Sequence, residues 1–182
     1  MSNFNFIKTD IEGVILVETK VFEDNRGYFM ETYRENEFKE AGINADFVQD
    51  NQSASVKGVL RGMHFQKEFP QGKLVRVISG EVYDVALDLR KDSKTYGKWQ
   101  GFVLSAENKK QLFIPEGLAH GFLVLSDKAE FVYKCTDYYH AGDEGGIAYD
   151  DPDLNINWKD FYDGEFILSD KDKHHPTLKE IE

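Results

Sequence analysis

Cysteine is almost absent from this chain: Cys135 is the single one in 182 residues. That excludes an intrachain disulfide and a cysteine-rich zinc site, and it suits a reducing compartment. Long apolar runs are missing too, since no stretch approaches the ~20 residues a membrane-spanning helix needs. Positive net charge is also lacking. The formal charge of −11 argues against general binding to nucleic acid or to an anionic membrane surface, so an anionic ligand would need a local basic pocket. Proline is scarce, with four in the chain, and no Pro/Gly-rich linker, internal repeat or low-complexity segment divides it. The N-terminal stretch has no basic start followed by a long apolar segment. These absences lead us to expect a soluble cytoplasmic protein built as one domain over residues 1–182, with neither nucleic acid nor membrane as a partner.

What is present is enough apolar material for one core: 41% of residues are hydrophobic and 14% aromatic. Short β-branched and aromatic segments recur between turn signals. The alternation is clearest where Tyr83, Val85, Leu87 and Leu89 interleave with Val82, Asp84, Ala86 and Asp88, the period of a strand. Ser79-Gly80 is placed to turn one strand into the next. Helix signals are few. Residues 32–42, "TYRENEFKEAG", combine helix formers with a glycine stop. The expected fold is all-β, a barrel or sandwich with a few short helices, having its β core at about 20–160 and a polar tail at 161–182.

Residues 58–66, "GVLRGMHFQ", place Arg61 and His64 on such a segment, with Lys73 following in "PQGKLVRV". In an acidic chain, groups that carry or move positive charge at this spacing suggest a site for an anion. The mouth of a small barrel is a natural place for it, and His64, Lys73, His120 and Tyr133 could converge there from different segments. Each also has a structural reading: a satisfied histidine beside Phe65, a solvated strand-edge lysine, or a packing tyrosine between Phe131 and Cys135. The pair His174-His175 sits in a charged tail before Pro176 and reads as a solvated segment.

Residues 114–122, "IPEGLAHGF", carry Pro-x-Gly-x-x-His, which resembles the second sequence motif of the cupin barrels. Metal-binding cupins place His-x-His in the first motif, but here the sequence reads His64-Phe65-Gln66. A neutral Gln with two histidines and a distant Glu68 is a poor ligand set for iron, manganese or nickel. No metal and no other cofactor is expected.

Taken together, "VFEDNRGYFMETY", "QDNQSASVKGVLRGMHFQ", "PQGKLVRVISGEVYDVALDLR", "IPEGLAHGFLVLSD" and "YDDPDLNINW" resemble the dTDP-4-dehydrorhamnose 3,5-epimerase family across nearly the whole chain. The resemblance implies a cupin-type jelly roll, no metal, and epimerisation at C3 and C5 of a dTDP-4-keto-6-deoxysugar in dTDP-L-rhamnose biosynthesis. It implies His64 as catalytic base, Asp172 of "SDKD" as its orienting carboxylate (Asp170 if the register slips), Tyr133 as the acid on the far side, and Lys73 beside the developing oxyanion. Arg61, His120, Gln49, Asn51, Tyr139, Glu144 and Lys171 are implied as substrate contacts, with Tyr139 stacking on thymine. The family's homodimers exchange an N-terminal strand, so Phe22, Arg26 and Glu31 are expected to serve a partner's site. A related 3-epimerase, a 3,4-ketoisomerase or a sugar-binding cupin without catalysis are the competing readings.

Overall fold

The computed structural model describes residues 2–181. Its strands run β1 (Phe4–Lys8), β2 (Ile15–Thr19), β3 (Val21–Asp24) and β4 (Gly27–Met30) before a single-turn helix α1 (Glu35–Glu40). Then follow β5 (Gln49–Val56), β6 (Leu60–Gln66), β7 (Lys73–Ser79), β8 (Glu81–Asp88) and β9 (Trp99–Ser105). The chain continues through β10 (Gln111–Ile114), β11 (Leu118–Val124), β12 (Lys128–Cys135) and β13 (Glu144–Gly146) to a short helix α2 (Trp158–Phe161). A six-stranded sheet, β1-β2-β10-β7-β12-β5, faces a five-stranded sheet, β13-β6-β11-β8-β9, and β3 and β4 form a separate hairpin. All pairings between these strands are antiparallel.

Alternation decides which residues fill the space between the sheets. Val75, Val77, Ala129 and Phe131 from the larger sheet meet Val82, Ala86, Leu118 and Phe122 from the smaller one, all buried. Each large side chain so removed from water contributes about 1.5–3 kcal/mol. The strand predicted over 82–89 is buried on both faces. Tyr83, Val85 and Leu87 pack outward against Ile147, Leu154, Ile156 and Trp158, which lie beyond the strands in sequence and cover the smaller sheet. On the outside of the larger sheet, Phe38 of α1 packs with Phe4, Val17, Leu74 and Phe113.

Three boundaries differ from expectation. The β core starts at Phe4, because β1 and β2 extend the larger sheet through their pairing with β10. Helix forms only over Glu35–Glu40, where the buried Phe38 anchors it. The polar tail is part of the packed structure: Ile167 bridges to Val59 in parallel, and Ala148 N donates to the Pro176 carbonyl at 2.8 Å.

One irregularity sets the geometry of the site. Across β6 and β11, His120 pairs with His64 and Phe122 with Arg61, with a register shift between them. The extra residue on β6 is a bulge, and it brings Arg61 and His64 to the same inner face although their odd spacing would separate them on a regular strand. Gly62 makes room for it. Its φ is +126°, and a Cβ there would fall 2.5 Å from Gly121 Cα and 2.8 Å from the His120 carbonyl oxygen. Gly27 shares the backbone conformation, φ +127°, but has open space around it. We expect Gly62→Ala to cost roughly 2 kcal/mol or more in urea unfolding and Gly27→Ala about 1 kcal/mol, the difference being the clash rather than the dihedral. Equal losses would contradict the close approach.

Candidate active site

The smaller sheet carries His64 and Arg61 on β6, His120 on β11 and Asp84 on β8, all on the face toward the larger sheet. The larger sheet presents Lys73 at the start of β7 and Tyr133 on β12, the latter packed against the shared core. The site is therefore built from two facing walls.

His64 Nε2 donates to Asp172 Oδ1 at 2.5 Å. Asp172 is buried, and its backbone N–H donates to Ser169 Oγ at 3.1 Å. Burial alone would raise the Asp172 pKa, but hydrogen bonding to His64, the charge of that ring and Ser169 bring it below the ordinary 3.8. The carboxylate is thus ionised at neutral pH and accepts the Nε2 proton, which leaves His64 Nδ1 as the basic nitrogen. Asp170 is 98% exposed and pairs with Lys173, so the tail presents Asp172, and not Asp170, to the imidazole.

On the opposite wall, burial lowers the pKa of Lys73 against the pull of Cys135, Asp84 and Glu144. Burial likewise raises the Tyr133 hydroxyl, keeping it a neutral donor. Among the described residues neither side chain has a hydrogen-bond partner, so both are available to a ligand.

His120 is held by Asp84, with Nε2 to Oδ2 at 2.8 Å. Asp84 breaks the apolar inner face of Val82 and Ala86, a signal that sequence reading passed over. Arg61 donates through Nε to Ser55 Oγ at 3.1 Å and acts electrostatically on Tyr133. Gln49 and Asn51 are joined at 3.1 Å, and Gln49 accepts from the Tyr139 backbone at 3.0 Å. Glu144 is ion-paired with Lys171, which lowers its pKa, and it also feels His64. Gln66, at the first-motif position where a cupin metal ligand would sit, is otherwise engaged: its amide donates to the carbonyls of Phe69 at 2.6 Å and Tyr138 at 3.2 Å.

One placement departs from the sequence reading. His175 is not solvated; its side chain is 8% exposed and Nε2 lies 3.4 Å from Asp172 Oδ1. The ring lies over Gly146, where no Cβ intervenes, and burial together with the nearby His64 lowers its pKa. Phe22 and Arg26, expected to serve a partner's site, do not join the site of their own chain. They lie on the β3–β4 hairpin, where Phe22 is 43% exposed and Arg26 pairs with Asp24. The hairpin sits by the outer side of the larger sheet, with Tyr28 under the Lys109 ammonium and within electrostatic reach of Arg76. Glu31 is taken up by Asn3 and Arg34.

An imidazole backed by a carboxylate on one wall, with a cation and a neutral phenol on the other, makes this jelly roll a candidate enzyme of the proton-transfer class. Comparison with known proteins narrows this. The description of the dTDP-4-dehydrorhamnose 3,5-epimerase family matches residues 8–180. A dTDP-4-dehydrorhamnose 3,5-epimerase of Methanothermobacter thermautotrophicus is 56% identical over 180 residues, 99% of this chain and 97% of that protein. A crystal structure of dTDP-6-deoxy-D-glucose-3,5-epimerase from Legionella pneumophila, in complex with dTDP-4-keto-L-rhamnose, superposes with a TM-score of 0.94 at 49% identity, covering 98% of this chain and 95% of the other. A 3'-monoepimerase from Streptomyces bikiniensis in complex with dTDP-quinovose is more distant, at 35% identity and a TM-score of 0.87 over 94% and 86% of the chains. The chain belongs to the dTDP-4-dehydrorhamnose 3,5-epimerase family.

The lowered Lys73 pKa has a sign that can be read. Its cation is present below that value and is lost as pH rises through it, below the ordinary 10.5. We expect kcat to decline on this alkaline limb, and Lys73→Arg, whose guanidinium does not titrate in range, to move the limb upward. A limb unmoved in the arginine variant would assign it to another group.

Proposed function

We propose that this chain converts dTDP-4-dehydro-6-deoxy-D-glucose to dTDP-4-dehydro-L-rhamnose by epimerising C3 and C5, the step that sets the L configuration in dTDP-L-rhamnose biosynthesis. The single observation that supports this mechanism is that His64 and Tyr133 stand on opposite sheets. His64 Nδ1 removes the proton from the carbon beside the 4-keto group while Asp172 holds the resulting imidazolium. The electron pair moves into an enolate whose oxygen is met by Lys73; removing one such donor typically costs on the order of a hundredfold in rate. Tyr133 then returns a proton to the opposite face and is reprotonated from solvent. His64 releases its proton likewise, so each inversion exchanges one carbon-bound hydrogen for one from water. No metal or organic cofactor enters this scheme, since the carbonyl acidifies both neighbouring carbons.

In this reading Arg61 and Lys171 offset the diphosphate, Tyr139 stacks on the thymine, and Gln49, Asn51, His120 and Glu144 complete the polar contacts. The whole chain acts as one epimerase domain, and its lone buried thiol, Cys135, suits the cytoplasm. Among the described residues no helix is long and apolar enough to cross a membrane. We further read the active form as a homodimer in which the exposed hairpin, with Phe22, Tyr28 and Phe29 on its surface, lends Phe22, Arg26 and Glu31 to the neighbour's site.

Turnover of dTDP-4-dehydro-6-deoxy-D-glucose in heavy water, followed by NMR, tests the reaction. Deuterium is expected at both C3 and C5 of an inverted product. Label at C3 alone would make the protein a 3-epimerase, and no label would make it a binding module.

The exchange of hairpins has its own test. Arg26→Ala and His64→Asn chains are each expected to be impaired, but in a mixed dimer the His64→Asn subunit supplies Arg26 to the intact base of the other. Mixing the two inactive proteins under conditions of subunit exchange should therefore restore turnover. Failure to restore it in verified mixed dimers would place Arg26 in its own chain's site or outside catalysis.

A further inference from the structure

His64, Asp172 and His175 each offer one ligand atom, and the three atoms lie within 4.8 Å of one another. Within this trio Asp172 Oδ1 lies 2.5 Å from His64 Nε2 and 3.4 Å from His175 Nε2. His175 Nε2 is fully buried and has no hydrogen-bond partner, an uncommon state for a buried polar atom. Its side chain is more than nine-tenths buried and is held over Gly146, the residue paired with His64 across the sheet edge. From this geometry we infer that the back of the catalytic base is a site for a divalent transition ion of the Zn2+ type, and that occupancy switches the enzyme off.

The donor set supports the assignment. Two imidazole nitrogens and a carboxylate oxygen suit Zn2+ and its neighbours, and bonds of about 2.0–2.2 Å at tetrahedral angles separate ligand atoms by roughly 3.3 Å. The Asp172–His175 separation already has that value. The His64–Asp172 contact must open by less than about 1 Å as the ion takes the place of the shared proton. Entry is provided by a surface cleft of about 380 Å³ lined in part by Phe65, Glu144, Gly146, Lys171, His175 and Pro176.

The consequence for catalysis follows from tautomer chemistry. In the free enzyme Asp172 holds the proton on Nε2, and Nδ1 is the base. An ion at Nε2 displaces that proton to solvent, and the neutral metal-bound imidazole carries its one proton on Nδ1. The nitrogen that faces the substrate then has no lone pair to accept a proton. The ion is held by His64, Asp172 and His175, so the loss falls mainly on kcat. The catalytic half of this inference rests on the epimerase reading above; the binding half does not.

Equilibrium dialysis of untagged, metal-free protein against Zn2+, with Co2+ absorption as a spectroscopic report, reads binding without reference to turnover. Wild type is expected to bind one ion per chain, to lose turnover in proportion to occupancy by about tenfold or more, and to recover fully with EDTA. His175→Asn removes one ligand. Gly146→Ala removes none, but its Cβ would stand 2.3 Å from the His175 ring and so displaces the imidazole. Both, checked for folding by thermal melts, are expected to bind about tenfold or more weakly. An absence of stoichiometric binding in wild type, or binding unchanged in both variants, would overturn the site. Stoichiometric binding at full activity would overturn the switch. A chain that binds the ion through His175 but turns over no nucleotide sugar would instead refute the epimerase reading.

Discussion

The hydrogen bond between His64 and Asp172 is the contact on which the rest of the site depends. A carboxylate 108 positions away in sequence reaches the imidazole only because the tail is fixed on both sides of it. Ile167 exchanges backbone hydrogen bonds with Gly58 and Leu60 at 2.8 and 3.0 Å, and the Pro176 carbonyl is bound by Ala148 at 2.8 Å. On the other partner, the bulge at Gly62 turns His64 inward beside Arg61. Ordering such a tail opposes chain entropy by roughly 1–2 kcal/mol per residue. Its packing and backbone bonds offset that cost, and the carboxylate arrives already placed.

The two-sheet architecture also solves a chemical problem. Inverting a carbon needs proton removal on one face and delivery on the other, and a sandwich supplies two facing walls with independent side chains. A buried ammonium is effective there. Two unit charges 4 Å apart attract by about 1 kcal/mol in water and about 4 kcal/mol at an effective dielectric near 20. Burial of Lys73 thus strengthens the attraction it would exert on a nearby anionic oxygen, at the expense of a lowered pKa. The net charge of −11 does not exclude a local positive field, since Arg61 and Lys73 act on Tyr133 and Cys135 of one strand, β12.

Much of this was legible in the sequence, and the failures have identifiable causes. The strand over 82–88 and the turn at Gly80, with φ +77°, follow from alternation and from a residue that tolerates a left-handed backbone. The bulge was not legible, because one extra residue leaves no compositional mark, and simple alternation would have put Arg61 and His64 on opposite faces. Composition also misjudged the tail: a run rich in Lys, Asp and His reads as solvated, yet Asp172 and His175 are drawn in by partners elsewhere in the chain. The resemblance to a family located Asp172 where periodicity could not. It offered nothing for His175, and only the packing over Gly146 makes that residue visible. Phe22 and Arg26 are the reverse case, residues tied to the ligand by resemblance that a single chain leaves on an exposed hairpin.

The central claim, that Asp172 fixes the proton on His64 Nε2 and leaves Nδ1 as the base, is tested most directly by 15N NMR of the labelled histidines at neutral pH. Wild-type His64 should show the Nε2–H tautomer, with an unprotonated Nδ1 signal, and Asp172→Asn should shift it toward a mixture of tautomers. An Nδ1–H tautomer in the wild-type protein, or a spectrum unchanged in Asp172→Asn, would contradict the arrangement described here.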